Sequence, residues 1–380
     1  MELATFTYTA DRAWSAPLAD TLDSPRTLVV VFGGSGFVEQ PGPLLDLART
    51  YPQSHIIGCS TAGEIHGRGL TDDSLVVAVT RFERARVASA SVPVTCAGDS
   101  LAAGEALGRQ LAGADLKSVL VLSDGLGVNG SELVRGLNRT VGSDVVITGG
   151  LAADGDRFAR TWVLHDGEPR PGWISAAGLY GAGVQVGHGS RGGWDLFGPE
   201  RRVTRSEGNV LFELDGKPAL ELYKKYLGEL ASGLPATGLL FPLAVRSADD
   251  DTESVVRTIL AIDEEAQSLT FAGDLPQGSL ARLMRANLDR LIDGAAEAAA
   301  MVPPRIAGPA LSIAISCVGR RLVLGERTEE EIEATLDGLP ELTEQIGFYS
   351  YGEISPYADG TPALHNQTMT VTTILETAAA

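Results

Sequence analysis

Apolar runs of strand length, each closed by glycine and small polar residues, recur through the first half of the chain. Residues 27–32 run into Gly33-Gly-Ser-Gly36, 55–59 into Ser60-Thr-Ala-Gly-Glu64, 118–122 into Ser123-Asp-Gly125, and 144–148 into 149–155. Runs of this kind predict buried strands feeding tight loops. Residues 73–80 and 86–94 read as two more strands. Helical spacing appears over 41–49, from Asp99 or Ser100 to 113, and over 131–141. Strands alternating with helices imply a partly parallel, helix-covered sheet, whose strand carboxyl ends form the usual ligand crevice. Four small, polar strand ends in one half point to a common pocket there.

Beyond residue 162 the pattern changes. Residues 175–186 and 201–214 predict antiparallel strands around a polar loop at 187–193. A turn at 215–218 leads into a helix to about 230, followed by strands at 239–245, 255–262 and 268–271. The acidic stretch 249–253 reads as a solvated hairpin tip, since the calcium-loop register is missing. Leu280, Leu283, Met284, Leu288, Leu291, Ile292 and Ala295 lie at helical spacing and predict one long core helix, stopped by Pro303-Pro304. A strand at 310–318, a helix opened by the capping box Thr328-x-x-Glu331, and strands at 346–354 and 368–375 close the chain. The expected architecture is a two-domain mixed α/β protein. Residues 1–26 form an N-terminal strand or extension, 27–215 a partly parallel α/β domain, and 216–380 a more antiparallel α+β domain. No internal repeat is read.

At 380 residues, two or three domains of ~150 residues are expected. The balance of 30 basic against 49 acidic residues gives a net charge of −19, which disfavours nucleic acid and anionic membranes as partners. Three cysteines far apart in sequence make neither a disulfide framework nor a zinc motif and suit a reducing compartment. The first eleven residues lack a basic, then apolar, leader, and no apolar run nears the ~18 residues of a membrane span. The expectation is a cytoplasmic chain. The 45 glycines stand well above the usual ~7%, and they gather at the ends of apolar runs. Neither a complete dinucleotide fingerprint nor a phosphate-loop motif is present.

The candidate chemistry lies at those ends. A zwitterionic amino acid needs donors for its carboxylate and an acceptor for its ammonium. Arg320 offers a bidentate fork for the first, and Glu353 or Glu64, each following a glycine, an acceptor for the second. The competing reading is a structural ion pair between Arg320 and Glu353. Cys59 or Cys317 with His365-Asn366 would suit a cysteine hydrolase, though both cysteines sit on apolar strands where a thiol is usually core. Ser123-Asp124 lacks the GxSxG setting of a serine nucleophile. No histidine spacing suggests a metal site. A haem needs only one axial imidazole, for which His66, His188 and His365 are the candidates.

Gly58-Cys-Ser-Thr-Ala-Gly-Glu-Ile65, Gly178-Leu-Tyr-Gly-Ala-Gly183, Cys317-Val-Gly-Arg320, Gly347-Phe-Tyr-Ser-Tyr-Gly-Glu-Ile354 and His365-Asn-Gln-Thr-Met369, in this order, resemble the FIST family over residues 27–375. The resemblance implies paired N- and C-terminal FIST halves that sense small ligands such as amino acids. Read from the residues themselves, the polar strand ends of both halves are expected to face one shared cavity, with a ligand site drawn from Cys59, Ser60, Glu64, Ser123, Asp124, Cys317, Arg320, Glu353, His365 and Asn366. Some free-standing members are associated with haem and nitric oxide sensing beside a histidine kinase. No kinase, cyclase or F-box segment is read here, so signalling is expected in trans on a protein partner. An enzymatic role is the rival expectation.

Overall fold

The computed structural model describes residues 1–247, 254–303, 308–357 and 359–377. The protein is mixed α/β. Its strands form sheets of seven, six, six and nine strands among the described residues.

The first three sheets share one plan, because the chain repeats one unit three times. Each unit has an opening strand, two parallel strands joined through helix, a short hairpin, and a closing strand. In the first unit these are Glu2–Thr9, Thr27–Gly34, His55–Thr61, the hairpin Glu64–His66 with Gly69–Thr71, and Leu75–Arg81. The second runs Arg86–Pro93, Leu116–Ser123, Val146–Leu151, Val163–His165 with Glu168–Arg170, and Trp173–Tyr180. The third runs Val184–Arg191, Ala310–Cys317, Thr343–Ser350, Gly352–Pro356 with Pro362–His365, and Met369–Glu376. Every unit gives its hairpin away. The first unit's hairpin pairs with Thr343–Ser350, the second's with His55–Thr61, and the third's with Val146–Leu151. The exchange closes a ring.

Apolar residues on the inner faces of all three sheets, among them Val30, Phe32, Leu120, Leu122, Ile313 and Phe348, pack as one cluster at the centre. The outer faces carry helices: Gly42–Thr50 on the first sheet, Ser100–Leu111 with Gly130–Val141 on the second, and Leu288–Ala300 with Thr328–Asp337 on the third. Between Val184–Arg191 and Leu288–Ala300 the third unit accommodates the antiparallel nine-stranded sheet and the helix Ala219–Leu227 around a separate core.

Several expectations change. Residues 280–300 are not one helix. Leu280–Arg285 is a strand between Leu243–Arg246 and Arg201–Glu207, and the helix starts at Leu288, capped by the Asn287 side chain. Leu283 and Met284 face two different cores, which a strand achieves by alternation. The expected loop at 187–193 is largely the strand Val184–Arg191, paired in full with Met369–Glu376. The strand expected at 346–354 divides at Tyr351, where the chain passes from the third sheet to the second. Residues 239–245 split into a 3-10 turn, Ala236–Leu240, and a strand, Leu243–Arg246. The acidic tip at 249–253 lies outside the described residues. Strands from both sides of residue 215 share the second and third sheets.

Candidate functional site

The three crossovers meet at one end of the ring. There the Ala62 amide donates to Tyr349 O (2.8 Å), Ala153 to Ser60 O (2.9 Å) and Tyr351 to Leu151 O (3.2 Å), one equivalent bond per unit. Equivalent glycines lie just before them, at Gly58, Gly149 and Gly347. A Cβ at any of these would fall within 2.6, 1.8 or 1.9 Å of a carbonyl oxygen on the paired strand, so the close approach excludes other residues.

Beside this end a cleft of about 450 Å³ opens between the first unit, the loop after Ala153 and the helix Val318–Leu324. Its lining includes Gly34, Thr61, Ala62, Gly63, Glu64, Asp72, Asp73, Gly155, Asp156 and Arg157 on one side, and Val318, Arg321, Leu322 and Thr328 on the other. Arg321 donates to Ala62 O and to both oxygens of Asp72, at 2.7 and 2.6 Å, so one arginine joins the walls. Arg157, more than half exposed, donates to Ser35 Oγ at 3.2 Å, with Asp154 at 4.0 Å. The cleft thus holds two guanidiniums, three aspartates and one buried glutamate.

Glu64 accepts from Thr61 Oγ1 and from the Ser74 amide (3.0 Å) and hydroxyl (2.8 Å). Burial raises its pKa to about 7 against those donors. Glu353 sits in an equivalent socket of the third unit. It accepts from Ser350 Oγ (2.7 Å) and from the Thr368 amide (3.1 Å) and hydroxyl (3.0 Å), and burial raises it to about 8. In the second unit the same positions hold Ala152, Val163 and Trp173, and the socket is apolar.

Of the expected residues, the structure brings only Glu64 to the cleft. Arg320 is not a free fork. It is fully buried, its Nε donates to Glu331 at 2.7 Å, and its remaining N–H groups go to Gly192, Leu291 and Gln367 carbonyls and to Glu331 again. Its partner is Glu331, not Glu353. Glu331 accordingly makes no capping box; it turns inward to Arg320, Ser316 and Tyr349, and Thr328 bonds the Gly325 carbonyl instead. Glu353 is sealed in its socket with no exposed surface.

Cys59 and Cys317 are both fully buried, and burial raises both thiols above their ordinary range. Neither shares a hydrogen bond with a histidine among the described residues; His365 Nε2 meets Ser355 O at 2.9 Å. Asn366 bridges the Thr258 amide and the Tyr351 carbonyl, tying the inserted sheet to the ring. Ser60 accepts from the Trp162 amide. Ser123 bonds its neighbour's carbonyl, while the Asp124 carboxylate accepts from the Leu126, Gly127 and Gly172 amides and from Thr161. Both are loop-holding residues away from the cleft. His66 bonds Thr5, and the His188 Nδ1 has no hydrogen-bond partner among the described residues. Among the described residues no histidine lines the cleft.

Sequence reasoning missed Arg157 and Asp72–Asp73, and it chose Arg320 over its neighbour. The available signal was the helix Val318–Leu324. Within such a helix successive residues lie ~100° apart, so one of two adjacent arginines must face away from the core.

Residues 27–217 match the FIST N domain and residues 219–356 the FIST C domain. An uncharacterized protein of Methanocaldococcus jannaschii is 26% identical over 274 residues, 63% of this chain and 50% of its own length. The chain therefore spans about half the length of that relative. The cyanuric acid hydrolase of A. caulinodans superimposes over 100% of this chain and 99% of its own, with a TM-score of 0.38 and 9% identity.

Proposed function

Because the chain belongs to the FIST family, whose domains are small-ligand sensory modules, we propose that it binds an amino-acid-like ligand in the cleft between Glu64 and Arg321 and reports to a signalling partner in trans. One observation carries this reading: residues of both FIST domains line the same cleft. A ligand seated there touches the helix Val318–Leu324 and the first unit's crossover together, so its occupancy can bias their spacing.

The lining suits a zwitterion. The Arg157 guanidinium, held among the described residues by Ser35 and a distant Asp154, can take a carboxylate. Asp73 and Asp156, in the same lining, supply acceptors for an ammonium. The excess of aspartates over guanidiniums disfavours a simple anion. Neither a haem reading nor a cysteine-hydrolase reading gains support from these residues.

Calorimetric titration with the common L-amino acids, and with their des-amino carboxylic acids, tests the scheme. At least one amino acid is expected to bind, its des-amino analogue tenfold or more weaker, with Arg157→Ala costing about one to two decades in Kd. Binding that survives both Arg157→Ala and Arg321→Ala refutes the site.

A further inference from the structure

A recess of about 460 Å³ adjoins the cleft that holds Arg157 and Arg321, and Gly34 and Asp73 belong to the linings of both. The two residues pack closely at this junction. A Cβ on Gly34 would lie 2.9 Å from Asp73 Cα and 3.1 Å from Asp73 Oδ1, so the carboxylate sits where it does because residue 34 carries no side chain. Ser35, the next residue, accepts from Arg157 at 3.2 Å. A donor for a carboxylate and an acceptor for an ammonium therefore both lie beside the start of the recess.

The recess differs in character from the cleft. Tyr8, on the strand Glu2–Thr9, and Phe37, in the 3-10 turn Ser35–Val38, are both half-buried in its wall. Their rings meet edge to face, 6.2 Å between centroids and 69° apart, and Trp14 backs Tyr8 at 5.3 Å. Ala10 and Pro43 extend this apolar wall, while Glu39, Gln40 and Asp73 are the polar members of the lining. Glu39 is already paired with Arg160. Among the described residues no lysine or arginine lines the recess.

Such a lining selects among side chains. An acidic one would meet Glu39 and Asp73 with no counter-charge in the wall. A basic one would meet aromatic rings, but Glu39 already serves Arg160 and Asp73 serves the ligand's own ammonium. A small one would leave Tyr8 and Phe37 facing water. A third ring extends the edge-to-face pair, and ring pairs at roughly 4.5–7 Å contribute beyond the area they bury. We infer that this recess takes the ligand's side chain and that the ligand is an aromatic amino acid, an inference that rests on the amino-acid reading of the adjoining cleft. Arg157 would hold its carboxylate, Asp73 its ammonium, and Phe37 with Tyr8 its ring.

Calorimetric titration of the full chain with each of the common L-amino acids ranks the side chains. Phenylalanine, tyrosine or tryptophan should bind most tightly, about tenfold or more above alanine. Phe37→Ala should weaken that aromatic ligand about tenfold while alanine stays within about twofold. Because Phe37 is half-buried, Gly36→Leu serves as a second variant. A Cβ at Gly36 meets nothing within 4 Å, so the added side chain is accommodated and narrows the recess. It should likewise weaken the aromatic ligand and spare alanine. Tightest binding by a non-aromatic amino acid, or an aromatic preference unchanged in both variants, overturns this inference and leaves the amino-acid reading of the cleft standing. Binding of no amino acid at all overturns both.

Discussion

A guanidinium with no exposed surface is tolerated at residue 320 because its N–H groups meet Glu331 and three backbone carbonyls. Arg320→Ala strands the Glu331 charge and should cost roughly 3–5 kcal/mol in urea unfolding. Amino-acid affinity should stay within twofold while the protein is folded; a large affinity loss would return Arg320 to the site. The two buried glutamates make a separate prediction. Their folded pKa values, about 7 for Glu64 and about 8 for Glu353, lie above the ~4.3 of an unfolded glutamate. The folded state therefore holds protons that the unfolded chain has lost. The resulting stabilisation is complete below pH ~4.3 and disappears as pH rises through 7 and 8. Glutamine mimics the protonated form, so the melting temperatures of Glu64→Gln and Glu353→Gln should gain on wild type between pH 5 and pH 9. A difference independent of pH would contradict the protonated sockets.

The exchanged hairpin is the element that builds the site, and its signature was present in the sequence. Gly58-x-x-Thr-x-Gly-Glu-Ile65 and Gly347-x-x-Ser-x-Gly-Glu-Ile354 have identical spacing, and each encodes a close-packed glycine, a crossover and a hydroxyl–carboxylate socket. The repeat is hidden in the sequence because the second unit keeps the glycine, Gly149, but replaces the socket with Ala152, Val163 and Trp173. It also lengthens its crossover with the loop carrying Arg157. The strands themselves were legible from their apolar runs. The strand Leu280–Arg285 was not, since its spacing also fits a helix and only its sheet partners decide. Glu331 misled for a similar reason: a local capping signal lost to a buried arginine eleven residues away. If the socket is a matched set, Val163→Glu alone places a carboxyl among partners that cannot bond it. It should cost ~3 kcal/mol or more by chemical denaturation. Near-neutral stability would show that the position tolerates charge without the hydroxyls.

At the scale of the whole molecule the ring has no cut point between its two FIST domains. The first unit's hairpin completes the third sheet, and the third unit's hairpin completes the second. Residues 1–217 expressed alone should therefore lack a cooperative thermal transition, and co-expression with residues 218–380 should restore one. A cooperative transition in 1–217 alone would mean that the exchange is dispensable. The same closure puts a cleft lined by both domains where the proposed ligand would touch both. Hydrogen exchange of the full chain, with and without a saturating mixture of the twenty common amino acids, tests this most directly. Coincident protection of residues 61–72, 155–157 and 318–328 is the predicted result. Protection confined to one wall of the cleft, or none, would contradict a ligand site shared by the two domains.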